Sequence, residues 1–170
     1  MKVFKEEQRF TQSWVIALLI ISTMVPLVIV FSAYFKDENT METSEFVTVL
    51  SVIFVATSLI FFFKLKTRID EKGLYYQFFP FHFSLKLIPW TEIKSAQIRN
   101  YDAITEYGGW GLRSWALWNR KRGKSITISG NKGIQLILRD GQKLLIGTQK
   151  EQEANQVLKT YINKTESNEI

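Results

Sequence analysis

After a polar opening stretch the chain runs without a charge from residue 14 to residue 35, WVIALLIISTMVPLVIVFSAYF. With a rise of about 1.5 Å per residue, those 22 residues make a helix long enough to cross a hydrocarbon core of about 30 Å. A second uncharged run, FVTVLSVIFVATSLIFFF, covers 46–63, and Leu65 with the aliphatic stems of Lys64 and Lys66 extends it. The pattern predicts two transmembrane helices, over 14–35 and 46–65, joined by an external loop at 36–45. Pro26 falls inside the first, where a membrane helix accommodates the donor it removes. This run is much longer than a signal-peptide core and no small-x-small site follows it, so it is expected to be retained. Ser22, Thr23, Ser51, Thr57 and Ser58 are expected to bond helix carbonyls or a neighbouring helix.

Past residue 65 the continuous apolar runs give way to short alternating segments punctuated by Gly, Pro and Asn. Strands are predicted at 66–70, 74–79, 83–88, 93–100, 110–117, 125–129, 133–138 and 143–147. Asp140-Gly141 between two alternating runs is the strongest hairpin signal, and Gly130–Gly133 reads as a second hairpin turn. Helical periodicity returns only at the end. Thr148 is placed to cap a helix with Glu151 and Glu153 in its first turn and Val157, Leu158, Tyr161 and Ile162 along one face. Residues 164–170 are polar and are expected to form a disordered tail.

Basic residues then orient the chain. Lys2, Lys5 and Arg9 precede the first apolar run, Lys36 alone lies between the runs, and Lys64, Lys66 and Arg68 follow the second. The positive-inside rule places both ends in the cytoplasm, with 1–13 as a cytoplasmic N-terminal segment and 66–163 as a cytoplasmic domain. Neither run contains an ionisable residue, which argues against an ion pathway through this pair alone.

Short antiparallel strands followed by one amphipathic helix, with IPWTEIKSAQI in the third-to-fourth strand region, resemble the bacterial pleckstrin-homology (PH)-like domains that follow transmembrane helices. The sharper resemblance is to small two-span bacterial membrane proteins carrying a Tyr-Gly-Gly-Trp-Gly segment, here Tyr107–Gly111, and a later Gly-Asn-Lys-Gly turn leading to Leu-Ile-Gly-Thr-Gln. That resemblance implies a PH-like antiparallel β-sandwich or barrel capped by the C-terminal helix, in the cell membrane. It implies little about activity.

Charge and composition narrow the chemistry. Residues 64–170 hold 18 Lys and Arg against 10 Asp and Glu, so the region after the spans is more basic than the whole chain, whose net charge is +6. The densest patch joins Trp115, Trp118, Arg120, Lys121, Arg122 and Lys124. Indole rings favour the membrane interface and cations favour phosphates, which makes this patch the candidate site for anionic lipid or a protein partner. The plainer reading has both tryptophans in the core and the cations solvated. Basic and aromatic residues together also suit nucleic acid, but a membrane anchor argues against it. With no cysteine and a single histidine, neither a disulfide nor a thiolate metal site is available. Tyr107–Gly111 lacks the Lys-Ser/Thr of a P-loop and is expected to form a structural turn that inserts Trp110 into the core. His82 sits among aromatics with no nucleophile in a motif around it, and the acids are scattered, so neither an enzyme nor a cofactor is expected. Two functions fit: a membrane-tethered module binding lipid, a protein partner or a second copy of itself, or an accessory subunit assembling with a transporter or membrane enzyme through its spans.

Overall fold

The computed structural model describes residues 2–36, 41–113 and 123–167, with side chains described through 162. The chain divides into a helical unit, Phe10–Phe63, and a β-unit formed by Met1–Arg9 together with Lys64–Ile170.

The helical unit is a pair of long apolar helices, α1 (Ser13–Tyr34) and α2 (Thr43–Phe62). The second starts before the apolar run because Glu42 and Glu45 form a reciprocal capping box. Most of the large apolar side chains face outward, Ile21, Val28 and Phe54 among them, and Val15 and Val30 are the buried ones among the described residues. Between the helices the Thr23 and Thr57 hydroxyls meet at 3.3 Å. Each also donates to a carbonyl one turn back, Leu19 O and Ile53 O, as Ser22 and Ser51 do to Leu19 O and Val47 O. At the joined ends the rings of Phe10 and Phe63 pack edge to face at 6.2 Å. The second helix ends earlier than the hydropathy suggests. Leu65 and Lys66 belong to a strand, where Leu65 is fully buried.

The β-unit holds two sheets and a helix. The first sheet is a meander of β1 (Phe4–Arg9), β2 (Lys64–Asp70), β3 (Gly73–Phe79) and β4 (Lys86–Pro89). Residues 4–9, to which the sequence pattern assigns no element, pair antiparallel with β2 from Phe4↔Ile69 to Arg9↔Lys64. The helical unit is therefore inserted in the connection of a β-hairpin. The second sheet has the order β5-β8-β9-β7-β6, with β5 (Ile93–Asn100), β6 (Gly111–Arg113), β7 (Lys124–Thr127), β8 (Lys132–Leu138) and β9 (Lys143–Gly147). A short helix, α3 (Ala103–Tyr107), follows β5, and α4 (Glu151–Ser167) closes the chain.

Inward residues of both sheets, Leu65, Ile69, Leu74 and Phe78 on one and Ile134, Leu136 and Ile146 on the other, are almost wholly excluded from solvent. The apolar stripe of α4 (Ala154, Val157, Leu158, Tyr161) is buried, and the helix lies against β1, β2 and β5. Trp90 stacks on Tyr161 at 5.7 Å and donates to Asp70 O.

Several expectations change. The strand predicted over 83–88 is confined to Lys86–Pro89. Of 110–117, Gly111–Arg113 is strand, and the remainder lies outside the described residues. Gly130–Gly133 is no hairpin, because β7 runs parallel to β9 and the turn crosses over to β8 on the far side of β9. Helix is not confined to the end, since Asp102 caps α3 through Ile104 N–H and Thr105 N–H. Thr148 does not cap α4 directly; its hydroxyl accepts from Lys150 N–H in the preceding turn. Of the tail predicted to be disordered over 164–170, residues 164–167 continue α4, as extending a nucleated helix by one residue costs little, and the rest lies outside the described residues.

Candidate functional site

Of the six candidate residues, Lys124 alone falls within the described residues; Trp115, Trp118, Arg120, Lys121 and Arg122 lie outside them. Lys124 is exposed at the first position of β7. The preceding Gly123 has a positive φ of 82°, and a Cβ there would meet Lys143 O at 2.2 Å, so the chain enters β7 hard against β9. The segment belongs to an excursion between β5 and β8, and the excursion is pinned at its base. Arg99 donates to both carboxylate oxygens of Glu106 (2.9 and 3.2 Å) and to the Tyr107 hydroxyl, also at 2.9 Å. These partners raise the guanidinium pKa even though burial, the largest single influence, acts against the charge. Tyr101 and Tyr107 pack edge to face, and burial pushes the Tyr101 phenol up to about 12.

Trp110 is only partly buried against Tyr101, Ala103, Tyr107 and Leu145, rather than inserted in the core, and its indole donates to Gly130 O at 3.1 Å. Gly108 ends α3 in the left-handed region, so Tyr107–Gly111 is a helix stop and strand entry. An open cleft of about 480 Å³ lies beside it, lined by Tyr101, Asp102, Trp110 and Asn131.

A second surface was hidden in the sequence because it joins segments more than fifty residues apart. Along β1 the side chains alternate buried and exposed, leaving Lys5, Glu7 and Arg9 outward; β2 presents Lys64, Lys66 and Arg68 on the same side. Register sets Lys5 opposite Arg68, Glu7 opposite Lys66 and Arg9 opposite Lys64. Glu7 answers part of this charge, reaching Arg9, Lys64 and Lys66 at 2.9, 3.3 and 3.7 Å. The hydrogen bond from Arg9, with Lys64 beside it, holds the Glu7 carboxyl below the usual range. Arg68 pairs with Asp70 at 2.7 Å and lies over the Tyr75 ring. Lys5, Glu7, Lys66, Arg68 and Leu85 line a shallow cleft of about 460 Å³ on this face. The arrangement offers ammonium and guanidinium groups to a planar array of anions.

Beyond Phe4 the inward side of β1 is polar. Glu6 accepts from the Thr148 hydroxyl at 2.7 Å and from Gln149 N–H at 2.8 Å, and Gln8 donates to Gly147 O at 2.8 Å. Tyr161 donates to Lys2 O at 2.7 Å. These bonds tie the N-terminal strand to the end of β9 and to α4.

His82 lies in the β3–β4 connection. Its Nδ1 accepts from Phe78 N–H at 3.3 Å, and burial, aided by Lys86, lowers its pKa. Among the described residues no group of three His, Asp or Glu side chains is disposed to hold a metal. No protein-family model matches this sequence, and neither does any curated protein.

Proposed function

We propose that this chain is a membrane-anchored, non-enzymatic interaction module that docks on anionic lipid headgroups. In this reading α1 and α2 cross the cytoplasmic membrane as a hairpin, and the β-unit with both chain ends lies on the cytoplasmic side. The observation that carries it is the pairing of β1 with β2 across the inserted helices. Arg9 and Lys64 are cross-strand partners, so the chain leaves the sheet and returns to it at one point. Helices entered and left at one point, with 22 and 20 residues and outward apolar faces, fit two crossings that begin and end on the same side. The cations of that sheet fit the positive-inside rule.

A PH-like architecture is the reading that best accommodates the β-unit. A four-stranded meander is followed by an antiparallel β5-β8-β9 set and a closing helix, with α3, β6 and β7 as an excursion between β5 and β8. The helical hairpin then occupies the β1–β2 connection. Lys5, Lys64, Lys66 and Arg68, with the basic segment 120–124, supply the charge for lipid.

The test is co-flotation of a soluble β-unit in which Asn-Gly replaces residues 10–63, since the Arg9↔Lys64 pair suits a two-residue turn. Binding is expected to need anionic liposomes and to weaken with salt. At about 1 kcal/mol per cation, changing Lys5, Lys64 and Lys66 to Ser costs about 3 kcal/mol, on the order of a hundredfold in affinity. A folded β-unit that floats equally with neutral liposomes, or with none, overturns lipid docking and favours a protein partner.

A further inference from the structure

The β3–β4 connection carries the apolar surface that the charged face does not explain. Apart from Val3 and Ile104, every large apolar side chain exposed in the described β-unit lies between residues 81 and 87: Phe81 (60 %), Phe83 (83 %), Leu85 (44 %) and Leu87 (43 %). Side chains of this kind grouped on one connection and the strand it leads into mark an interaction surface.

Register locates that connection. Lys64 pairs with Arg9 on one side and with Phe79 on the other, so the loop leaves β3 at the sheet end that is tethered to the helices. Phe63 alone joins α2 to β2, and three residues join β1 to α1. The β2–β3 turn, Glu71 and Lys72, is at the opposite end.

We propose that the β3–β4 connection is an interfacial anchor, with Phe81 and Phe83 entering the headgroup–acyl boundary of the bilayer that α1 and α2 span. The proposal rests on the spanning reading above. Three observations fit this occupant. First, the loop is ordered before it meets lipid: Phe81 stacks on Phe78 at 5.9 Å, and Phe83 packs edge to face on Phe79 at 6.0 Å. Second, its backbone is partly satisfied from within, as non-helical chain near a bilayer requires. His82 N–H donates to Phe78 O at 2.8 Å, and the Gln77 amide donates to His82 O and Phe83 O at 3.2 and 2.9 Å. Third, residues 79–85 contain no acid or permanent cation, while Lys64 and Lys86 flank them at positions suited to lipid phosphates. A lowered pKa keeps His82 neutral at pH 7.

The chain has no cysteine, so single labels report cleanly. The full chain carrying Ser84→Cys, Glu71→Cys or Val52→Cys is labelled with a nitroxide and reconstituted in mixed neutral and anionic liposomes. Collision with oxygen and with a water-soluble nickel chelate then gives the depth of each label. The label at 84 is expected about 5–10 Å inside the interface, the label at 71 in water and the label at 52 in the hydrocarbon. Phe83→Ser, alone and with Phe81→Ser, should return the label at 84 to water; circular dichroism verifies the fold. If 52 is in hydrocarbon and 84 is as nickel-accessible as 71, the anchor is refuted and the spans stand. If 84 is shielded from both reagents, or keeps its depth in the serine variants, the loop meets protein and the anchor is likewise refuted. If 52 is in water, the spanning reading itself fails.

Discussion

Replacing Glu6 with Ala tests whether the N-terminal strand is a structural part of the β-unit. Glu6 is 8 % exposed, and its two oxygens accept from the Thr148 hydroxyl and from Gln149 N–H. Hydrogen bonds to a charged group contribute about 1.5–3 kcal/mol each. Alanine would leave the O–H of the fully buried Thr148 without its acceptor and open a small void, while relieving the burial of a carboxylate. The net expectation is a loss of about 3 kcal/mol. With a urea slope of about 2 kcal/mol/M, the midpoint falls by about 1.5 M. Glu6→Gln keeps an acceptor for Gln149 N–H and should lose about half as much. Glu7 is the internal control, since it is exposed and makes three ion pairs, and Glu7→Ala should cost less than about 1 kcal/mol. The assay is urea unfolding of the full chain in mild detergent, followed by tryptophan fluorescence, to which Trp90, buried in the β-unit, contributes. A Glu6→Ala midpoint within about 0.3 M of the parent, or a Glu7→Ala loss of the same size, would refute the closure of the β-unit through β1.

Other outcomes follow from the same packing. Leu65→Ala should destabilise the β-unit by about 2–5 kcal/mol in the same assay, because Leu65 fills the core and is not part of a span; a membrane residue facing lipid would leave the midpoint unchanged. Gly133→Ala places a Cβ 2.9 Å from Leu145 Cδ1 and should cost about 1–3 kcal/mol, read as a lower thermal midpoint. His82 has a folded pKa below its ordinary value of 6.5, so its contribution is complete above about pH 6.5 and is lost as pH falls through the folded pKa. It is the sole histidine. Stability should therefore drop between pH 7 and 5.5, and His82→Asn, which retains an acceptor for Phe78 N–H, should flatten that slope.

What could be read from the sequence follows physical lines. Uninterrupted apolar runs announced α1 and α2, and period-two alternation located β2, β3, β5, β8 and β9 to within a few residues. Asp140-Gly141 turns where expected, with Gly141 at φ 84°. The strand β1 escaped because FKEEQR turns Glu6 and Gln8 inward, and a polar inward face gives no hydrophobic period. Their partners lie 139 or more residues away, beyond any local signal. The five-residue helix α3 is too short for a periodicity to register, and the parallel β7–β9 pairing is non-local. The basic face of the first sheet was invisible for the same reason, since it exists only once residues 5–9 pair with residues 64–68.

That pairing also orders events along the chain. The first strand is made before its partner, and 54 residues of apolar helix and loop, 10–63, lie between them. Closing so long a connection carries an entropic cost, which the paired helices lower because Phe10 and Phe63, at their two free ends, already pack together. The hydrogen bonds that Glu6 accepts from residues 148 and 149 and that Gln8 donates to Gly147 O need β9 in place, and the bond from Tyr161 to Lys2 O needs α4 as well. The strand β1 therefore depends for its full set of bonds on residues from the far end of the β-unit. Inserting the helices into a hairpin, rather than appending them to one end, makes the sheet a clasp: once β1 and β2 pair, the helical unit is held through both of its ends.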